Sequence, residues 1–445
     1  MDSLIPYIDI YGNREVTFQF RGRSYCFTLS LELFSSAGID VGSRFLLKVF
    51  SDYIDTHPEH LAGKAPCSVL DAGSGVGVLG ICAAGALRER AKAFRVRAQD
   101  RDELARIFTE YNGERNGLSK DCFQAHTEPL LSGPEGQHWD LILTNIPAKA
   151  GRGVLEDFIF RSVSILNKDG RVFLVAVNTL ANFFRSCISA AEASLLAEEQ
   201  GKEHTVFVYT AGEKDKPSGG SLVMNGNFPR DYPFYVRNQS QYEMEDISYQ
   251  LDTVEGAPDF DNPGGAVQAA AKLAVKIDLA AKLSGGENSK TSLLIYDAGQ
   301  GHFAVWLANY LKAPKAGAYH WVLLGRNILG LAAARAALSS GGNIFSPPES
   351  SIISPTAIPI ADIFLDRERI GKAGDSSLIS FFPETVPEAA IAWEGITWLT
   401  APGGIVMVGM TSAEADRFDR KKAEGFIRLG DIKRKGFRAM AYRKG

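Results

Sequence analysis

The chain of 445 residues has little of what builds disulfide frameworks, metal centres or membrane spans. Its five cysteines (Cys26, Cys67, Cys82, Cys122 and Cys187) are scattered and odd in number, and no two have C-x-x-C spacing. That argues against a cystine-stapled domain and against a zinc ribbon. The seven histidines form no cluster of ligand type, so no metal is expected. No apolar run approaches the ~20 residues of a membrane helix. The N-terminus carries no basic region followed by an apolar stretch, which gives the expectation of a cytoplasmic protein. The net charge is only −4, so the molecule as a whole is not a basic nucleic-acid binder. What remains is an ordinary folding composition, 45% apolar and 22% charged, long enough for at least two domains.

The most informative stretch is Val69-Leu70-Asp71-Ala72-Gly73-Ser74-Gly75-Val76-Gly77-Val78-Leu79-Gly80. An apolar strand runs into an acid, then into alternate glycines, then into a helix. Small residues at Gly73, Ser74, Gly75 and Gly77 let a ligand approach the backbone closely. A carboxylate beside such a loop is unsuited to an anion and suited to a cation. S-adenosylmethionine, with its ammonium and sulfonium, is such a ligand. The run Gly75 to Gly80 also fits the dinucleotide fingerprint G-x-G-x-x-G, and a ligand-free strand–helix turn is the plain alternative. Two further strand ends favour the methyl donor. The strand from Phe94 to Gln99 ends at Asp100 and Arg101, where a carboxylate can accept both hydroxyl protons of a ribose. Thr127 and Glu128 stand at the end of the third strand, where Glu128 is a candidate neighbour of the adenine or simply an exposed loop acid. The strand from Trp139 ends in Asn145-Ile146-Pro147, a turn that would face the ligand, because ligands sit at the carboxyl ends of parallel strands.

The chain also repeats itself. The run at Asp297-Ala298-Gly299-Gln300-Gly301 mirrors the run at Asp71, an offset of 226 that also pairs Phe34 with Phe260 and Asp100 with Arg326. Asp169-Gly170-Arg171 resembles Gly403-Gly404-Ile405 at an offset of 234. In the second copy the ligand groups are missing, and Pro383-Glu384 stands where the Asn-x-Pro turn would be. The predicted fold is α/β throughout, two tandem Rossmann-like domains, the first intact and the second degenerate. The turn-rich segment 211–221 marks the boundary, giving domains of 1–220 and 221–445. Charge is uneven as well. From Arg417 to Gly445 eleven Lys or Arg face three acids, a candidate phosphate-facing surface or a solvated helix and hairpin. A second basic run, Arg88 to Arg97, reads as a solvated loop.

At this point the sequence resembles the tandem-domain guanine-N2 methyltransferases of small-subunit ribosomal RNA (C type), within the methyltransferase-small superfamily. Leu33-Phe34-Ser35-Ser36-Ala37-Gly38-Ile39-Asp40-Val41-Gly42-Ser43-Arg44-Phe45-Leu46-Leu47 is similar to that family's F-S-x-x-G-x-D-x-G-S-x-x-L-L signature. Asn145 to Gly151 is similar to its N-P-P-F-H-x-G. Ile146, Ala148 and Lys149 depart from the proline, aromatic and histidine found there, and here the intact copy comes first. The resemblance implies class I methyltransferase domains, S-adenosylmethionine as cofactor, and ribosomal RNA or the small subunit as partner.

The chemistry expected is methyl transfer to an exocyclic amine. The Asn145 side-chain oxygen and the Ile146 carbonyl are placed to accept the amine protons, and Pro147 adds no competing N–H. Phe34 is the candidate to stack on a flipped base in place of the aromatic absent at Ala148, with a core phenylalanine as the alternative. Lys149 is either a phosphate or base contact or simply solvated. Two other functions stay open: a protein or small-molecule N-methyltransferase, and a non-catalytic RNA-binding assembly protein.

Overall fold

The computed structural model describes residues 2–34, 37–58, 66–90, 93–133, 136–212, 229, 232–258, 261–283, 291–311, 319–342 and 353–445. Ser35, Ser36, Lys92, Asp259, Phe260 and most of the predicted boundary, 213–221, lie outside these. The chain divides into two compact units, Met1–Asn225 and Gly226–Gly445.

The first unit opens with α1 (Ile5–Tyr11) and the antiparallel hairpin β1 (Arg14–Phe20) and β2 (Arg23–Leu29). There follow α2 (Val41–Thr56), β3 (Cys67–Ala72), α3 (Val78–Arg90), β4 (Phe94–Asp100), α4 (Glu103–Arg115), β5 (Phe123–Thr127) and β6 (Trp139–Asn145). The unit closes with α5 (Arg152–Ser164), β7 (Leu166–Val177), α6 (Ala181–Ala190), β8 (Ser194–Gln200) and β9 (His204–Thr210). The seven strands after the hairpin form one sheet in the order β5-β4-β3-β6-β7-β9-β8, parallel except for β9, which is antiparallel to both of its neighbours. Central strands covered on both faces must be apolar throughout. β3 and β6 are accordingly buried almost end to end, and Leu141, Ile142 and Leu143 are each at most 4% exposed. α3 is buried from Val78 to Leu87, and its alanines and glycines let it lie close to the sheet.

The second unit repeats the plan. Hairpin β10 (Val236–Met244) and β11 (Ile247–Val254) precede α7 (Gly265–Lys276), α8 (Leu279–Leu283), β12 (Thr291–Tyr296), α9 (His302–Tyr310), β13 (Tyr319–Gly325), α10 (Ile328–Ser339) and β14 (Thr356–Pro359). Then come α11 (Arg367–Ile370), β15 (Ser376–Phe381), α12 (Ala389–Leu399), β16 (Thr400–Thr411), α13 (Ser412–Asp419), β17 (Phe426–Arg434) and β18 (Phe437–Lys444). The sheet order β14-β13-β12-β15-β16-β18-β17 is that of the first unit strand for strand. Its two faces bury separate apolar clusters, one around Trp306 and Trp321 and the other around Trp393 and Tyr442.

The backbone corrects the register of the repeat. Left-handed positions in the first loop are Gly73, Gly75 and Gly77, and in the second Asp297, Gly299 and Gly301, so each pair is 224 residues apart. The hairpin strands β2 and β11 begin 224 apart, at Arg23 and Ile247. Asp297 thus stands in the place of Gly73, and Ile295 in the place of Asp71. The helix caps Asp102 and Asn327 are 225 apart, which sets Gly325, not Arg326, opposite Asp100. The letters Asp-Ala-Gly-x-Gly recur two residues out of step with the turn that they first describe. The later offset of 234 is kept: β7 and β16 begin 234 apart.

Candidate active site

In the first unit the predicted groups converge at the carboxyl edge of the sheet. β3 pairs with β4 on one side and β6 on the other, with Asp71 beside Ala98 and Leu143. This is the point where strand order reverses, the place where open α/β sheets hold ligands. Asp100 and Asn145 each end a strand next to β3, and Asn145 lies two residues beyond the partner of Asp71.

Asp71 is fully buried, and its Oδ2 accepts the Gly80 amide at 2.7 Å, at the start of α3. A Cβ at Gly80 would fall 2.9 Å from that oxygen, so glycine is needed there. Asp71 Oδ1 is buried and has no hydrogen-bond partner. Burial pushes this carboxyl up to about 7, opposed by the Gly80 amide and aided by the nearby charge of Asp100. A buried carboxylate left one bond short is a place for a cation.

The glycine loop divides into two kinds of position. A Cβ at Gly75 would meet nothing within 4 Å, and one at Gly73 only Leu130 Cδ2 at 3.9 Å. These two face open space at the strand ends. Gly77 differs: its Cβ would sit 3.0 Å from Ile81 and 3.1 Å from Thr109, so it serves the packing of α3 against α4. The Ser74 hydroxyl turns inward to Thr109 Oγ1 at 3.2 Å, leaving its backbone to the loop. The Gly73 and Ser74 amides donate to the Gln99 carbonyl at 2.9 and 3.0 Å. Asp100 holds the same loop: its Oδ2 accepts the Gly75 amide at 3.0 Å and its Oδ1 the Asp102 amide at 3.1 Å. Burial raises its carboxyl above the usual range. Arg101 is half-buried beside it.

Thr127 and Glu128 are tied into the scaffold. The Thr127 hydroxyl donates to Glu103, and Glu128 pairs with Arg97 at 2.8 Å. The loop after them holds a residue that sequence reasoning missed. Leu130 adopts a left-handed φ of 39°, its carbonyl accepts from the Gln99 amide group, and its side chain faces Gly73.

The Asn145-Ile146-Pro147 turn is the most specific part. Asn145 Nδ2 donates to Asp40 Oδ1 at 2.7 Å and to Ser43 Oγ at 3.2 Å. Both amide protons are therefore engaged, and no described residue donates to Oδ1. Ile146 is 4% exposed, so only its backbone can meet a ligand. Pro147, Ala148 and Lys149 are exposed. Phe34 is 71% exposed, which discards the core-phenylalanine reading. Asp40, Gly42 and Ser43 were quoted only as letters of a signature; their link to Asn145 spans about a hundred residues and shows only in the fold.

The run Arg88 to Arg97 is not a solvated loop: Arg88 lies in α3, Arg95 and Arg97 lie in β4, and Arg97 pairs with Glu128. In the second unit Arg438 pairs with Asp416 and Asp431, Arg428 with Asp419 and Asp431, and Arg434 with Glu245. Lys422 and Lys444 donate to backbone carbonyls. Much of the C-terminal charge is thus spent internally, while Arg420, Lys421, Lys435 and Arg443 form no ion pair among the described residues. In the first unit a cleft of about 560 Å³ is lined by Arg23, Arg88 and Arg115. It lies where α3 and α4 end, away from the strand carboxyl ends. Its guanidinium groups are engaged by Glu89, the Gly117 carbonyl and Glu15.

Residues 25–194 match the family model of the methyltransferase small domain. The architecture of the chain is that of two tandem Rossmann-like domains. Over 97% of its length it is similar to the T. thermophilus 16S rRNA N2-guanine methyltransferase RsmC, solved in complex with AdoMet and guanosine. That match covers 98% of RsmC with a TM-score of 0.59 and 14% identity, a likeness of fold. The Bacillus subtilis protein YbxB is 28% identical over 160 residues, which cover 36% of this chain and 72% of that one. The magnesium protoporphyrin IX methyltransferase ChlM of Synechocystis matches 40% of this chain and 88% of its own, with 15% identity and a TM-score of 0.31. No described helix is long and apolar enough to cross a membrane. No group of three or more potential metal ligands occurs among the described residues.

Proposed function

We propose that the chain is an S-adenosylmethionine-dependent N-methyltransferase of the cytoplasm, acting through its first domain on a guanine exocyclic amine of ribosomal RNA. The observation that carries this reading is the Asn145 amide, locked with both protons turned away so that its oxygen stands free at the end of the strand next to that of the orphaned Asp71 carboxylate. The residues present fit the donor. Asp71 Oδ1 suits the ammonium, Gly73 and Gly75 leave room for the chain, and the remaining lone pairs of Asp100 suit the ribose. Leu130, Thr127 and Glu128 flank the adenine end, with Arg101 alongside. Bound there, the donor supplies a methyl group already activated on a sulfonium, so the protein's task is positioning.

An exocyclic amine is a weak nucleophile while its lone pair is delocalised into the ring. Asn145 Oδ1 and the Ile146 carbonyl accept its two protons and turn the lone pair out of conjugation. Pro147 fixes the turn. The product ammonium can lose its proton to water, so no general base is needed. Phe34 offers an exposed ring for the flipped base, and Lys149 a cation beside it. RsmC, of the same two-domain architecture, was solved with AdoMet and guanosine, which supports guanine as the target.

The test is transfer of labelled methyl from S-adenosylmethionine to total RNA and to ribosomal subunits of the native host, followed by digestion to nucleosides. Label in N2-methylguanosine is expected. Label in another nucleoside overturns the target, and donor binding with no label in RNA turns the reading toward protein acceptors or an assembly role.

A further inference from the structure

Resting on that reading of the Asn145 turn, we infer that Asp40 and Ser43 are positioning residues for catalysis. They hold the Asn145 amide so that its oxygen, and not its NH2 group, meets the substrate. The geometry is over-determined. Asp40 is the N-cap of α2, and its Oδ1 accepts the Ser43 amide at 2.8 Å while also accepting Asn145 Nδ2 at 2.7 Å. One carboxylate oxygen therefore fixes a helix terminus and a side-chain amide together. The second proton of Nδ2 goes to Ser43 Oγ, on the first turn of the same helix.

The body of α2 is itself held in place. Phe50 and Tyr53 of α2 each pack edge-on against Phe173 of β7, with ring centroids 5.2 Å apart in both pairs. The approach of α2 to the strand ends is as close as a chain allows. A Cβ at Gly42 would lie 3.2 Å from Asp40 Oδ1, 3.3 Å from Asn145 Nδ2 and 3.2 Å from His204 Cδ2. Any larger residue there would push Asp40 away from its partner.

Rotating the Asn145 amide by half a turn would set its oxygen against the Asp40 carboxylate, at a distance where only a donor is tolerated. The flip is thereby forbidden, and Oδ1 is held as an acceptor without a water or a substrate to orient it. The anionic partner also polarises the amide, enriching the electron density on Oδ1. Such preorganised acceptors matter where positive charge develops in the transition state.

The second unit supplies an internal control. Gly264 caps α7 with no side chain, and the 224-residue register sets Val267 in the place of Ser43. In the β6–β15 correspondence, Leu141 and Leu378 both sit beside equivalent residues of the first strand, Val69 and Leu293, which brings Phe382 to the place of Asn145. The three members of the network are absent together, replaced by groups that cannot hydrogen-bond through a side chain.

The experiment uses the full chain, with initial rates of methyl transfer to the RNA substrate, donor titration and thermal melting. D40S keeps a good N-cap, since serine caps as well as aspartate, but is too short to reach Asn145. Its kcat is expected to fall about 10- to 100-fold, the usual span for a lost hydrogen bond to a charged group. Donor affinity, RNA KM and melting temperature should remain those of the parent. D40N, which retains an oxygen at the same place, should recover most of the rate, and S43A should lose only a few-fold. In the N145A background, D40S should cost nothing further. Full kcat in D40S alongside an inactive N145A overturns the inference and leaves the proposed function standing. Losses that multiply in the double variant also overturn it. Wild-type turnover in N145A overturns the amine-binding role of the turn and this inference with it.

Discussion

The two units of this protein share one topology and differ at the mouth of the sheet. Where the first has Asp71, Asp100, Asn145 and Asp40, the second has Ile295, Gly325, Phe382 and Gly264. Ile295 is fully buried and the Phe382 ring packs against Phe303 at 4.7 Å. Buried polar groups that are short of partners destabilise a fold unless a ligand completes them. Apolar residues at this edge of the second unit carry no such cost. The orphaned Asp71 Oδ1 of the first unit is, by the same physics, a place that a ligand would complete.

The sharpest way to break the comparison is Asn145→Ala. Loss of one preorganised acceptor is expected to lower kcat on the order of 10²- to 10³-fold. Donor affinity, measured by calorimetry, should be unchanged. Equal turnover would leave the first unit no more catalytic than the second.

Asp71→Asn comes next. Titration of the parent chain should show one donor site per chain, and this variant should weaken it by about tenfold or more, since a hydrogen bond to a charged group is lost. Two equal sites would erase the distinction between the units. The pH dependence follows from the burial that lifts Asp71 to about 7. The carboxylate is the form that holds a cation, so donor affinity should be level above pH 7 and fall below it by up to tenfold per unit. Stability runs the other way. The native carboxyl keeps its proton up to about pH 7, whereas the unfolded one releases it near 3.9. The unliganded fold therefore loses stability as pH rises through that window, by about 1.4 kcal/mol per unit at the limit. Asp71→Asn should thus melt at a higher temperature than the parent at pH 8 without donor, and a lower melting point there would refute the assignment.

Asp100→Ala should have a smaller effect. It removes a ribose acceptor and also frees the Gly75 amide, so donor affinity is expected to drop about tenfold while kcat at saturation stays near the parent value. An unchanged dissociation constant would sink the ribose role.

Much of this was legible in the chain. The apolar strand before Asp71, the strand-end acid Asp100 and the Asn-Ile-Pro turn are local patterns, and a sheet of parallel strands brings their ends together without further instruction. The duplication was legible too, but its register was not. Letters were matched at Asp297, whereas the turn is defined by which residues take left-handed φ, and those are two places earlier relative to the motif. The hold on Asn145 by Asp40 and Ser43 could not be read because it is a contact between distant segments. The pairing within the C-terminal basic run was hidden for a related reason: Asp416 and Glu245, which neutralise parts of it, lie outside the run itself.

The smallest expected effect on activity belongs to His302, and it tests the second unit as a purely structural body. His302 stands in the place of Val78, is 1% exposed, and its Nδ1 lies 2.9 Å from the Tyr249 hydroxyl, while Nε2 has no partner. Burial lowers its pKa to about 4. The native ring is therefore neutral at pH 7, while the unfolded one gains a proton as pH falls below 6.5. Stability is lost between pH 6.5 and 4, by about 1.4 kcal/mol per unit at the limit. His302→Leu should leave kcat and donor affinity within about twofold, cost roughly 0.5–1.5 kcal/mol at pH 7 through the lost hydrogen bond to the Tyr249 hydroxyl, and flatten the decline of melting temperature between pH 6.5 and 4. A large loss of methyl transfer in a variant that still melts cooperatively would show that the second unit takes part in the chemistry, and the contrast between the two halves would then be one of role rather than of presence and absence.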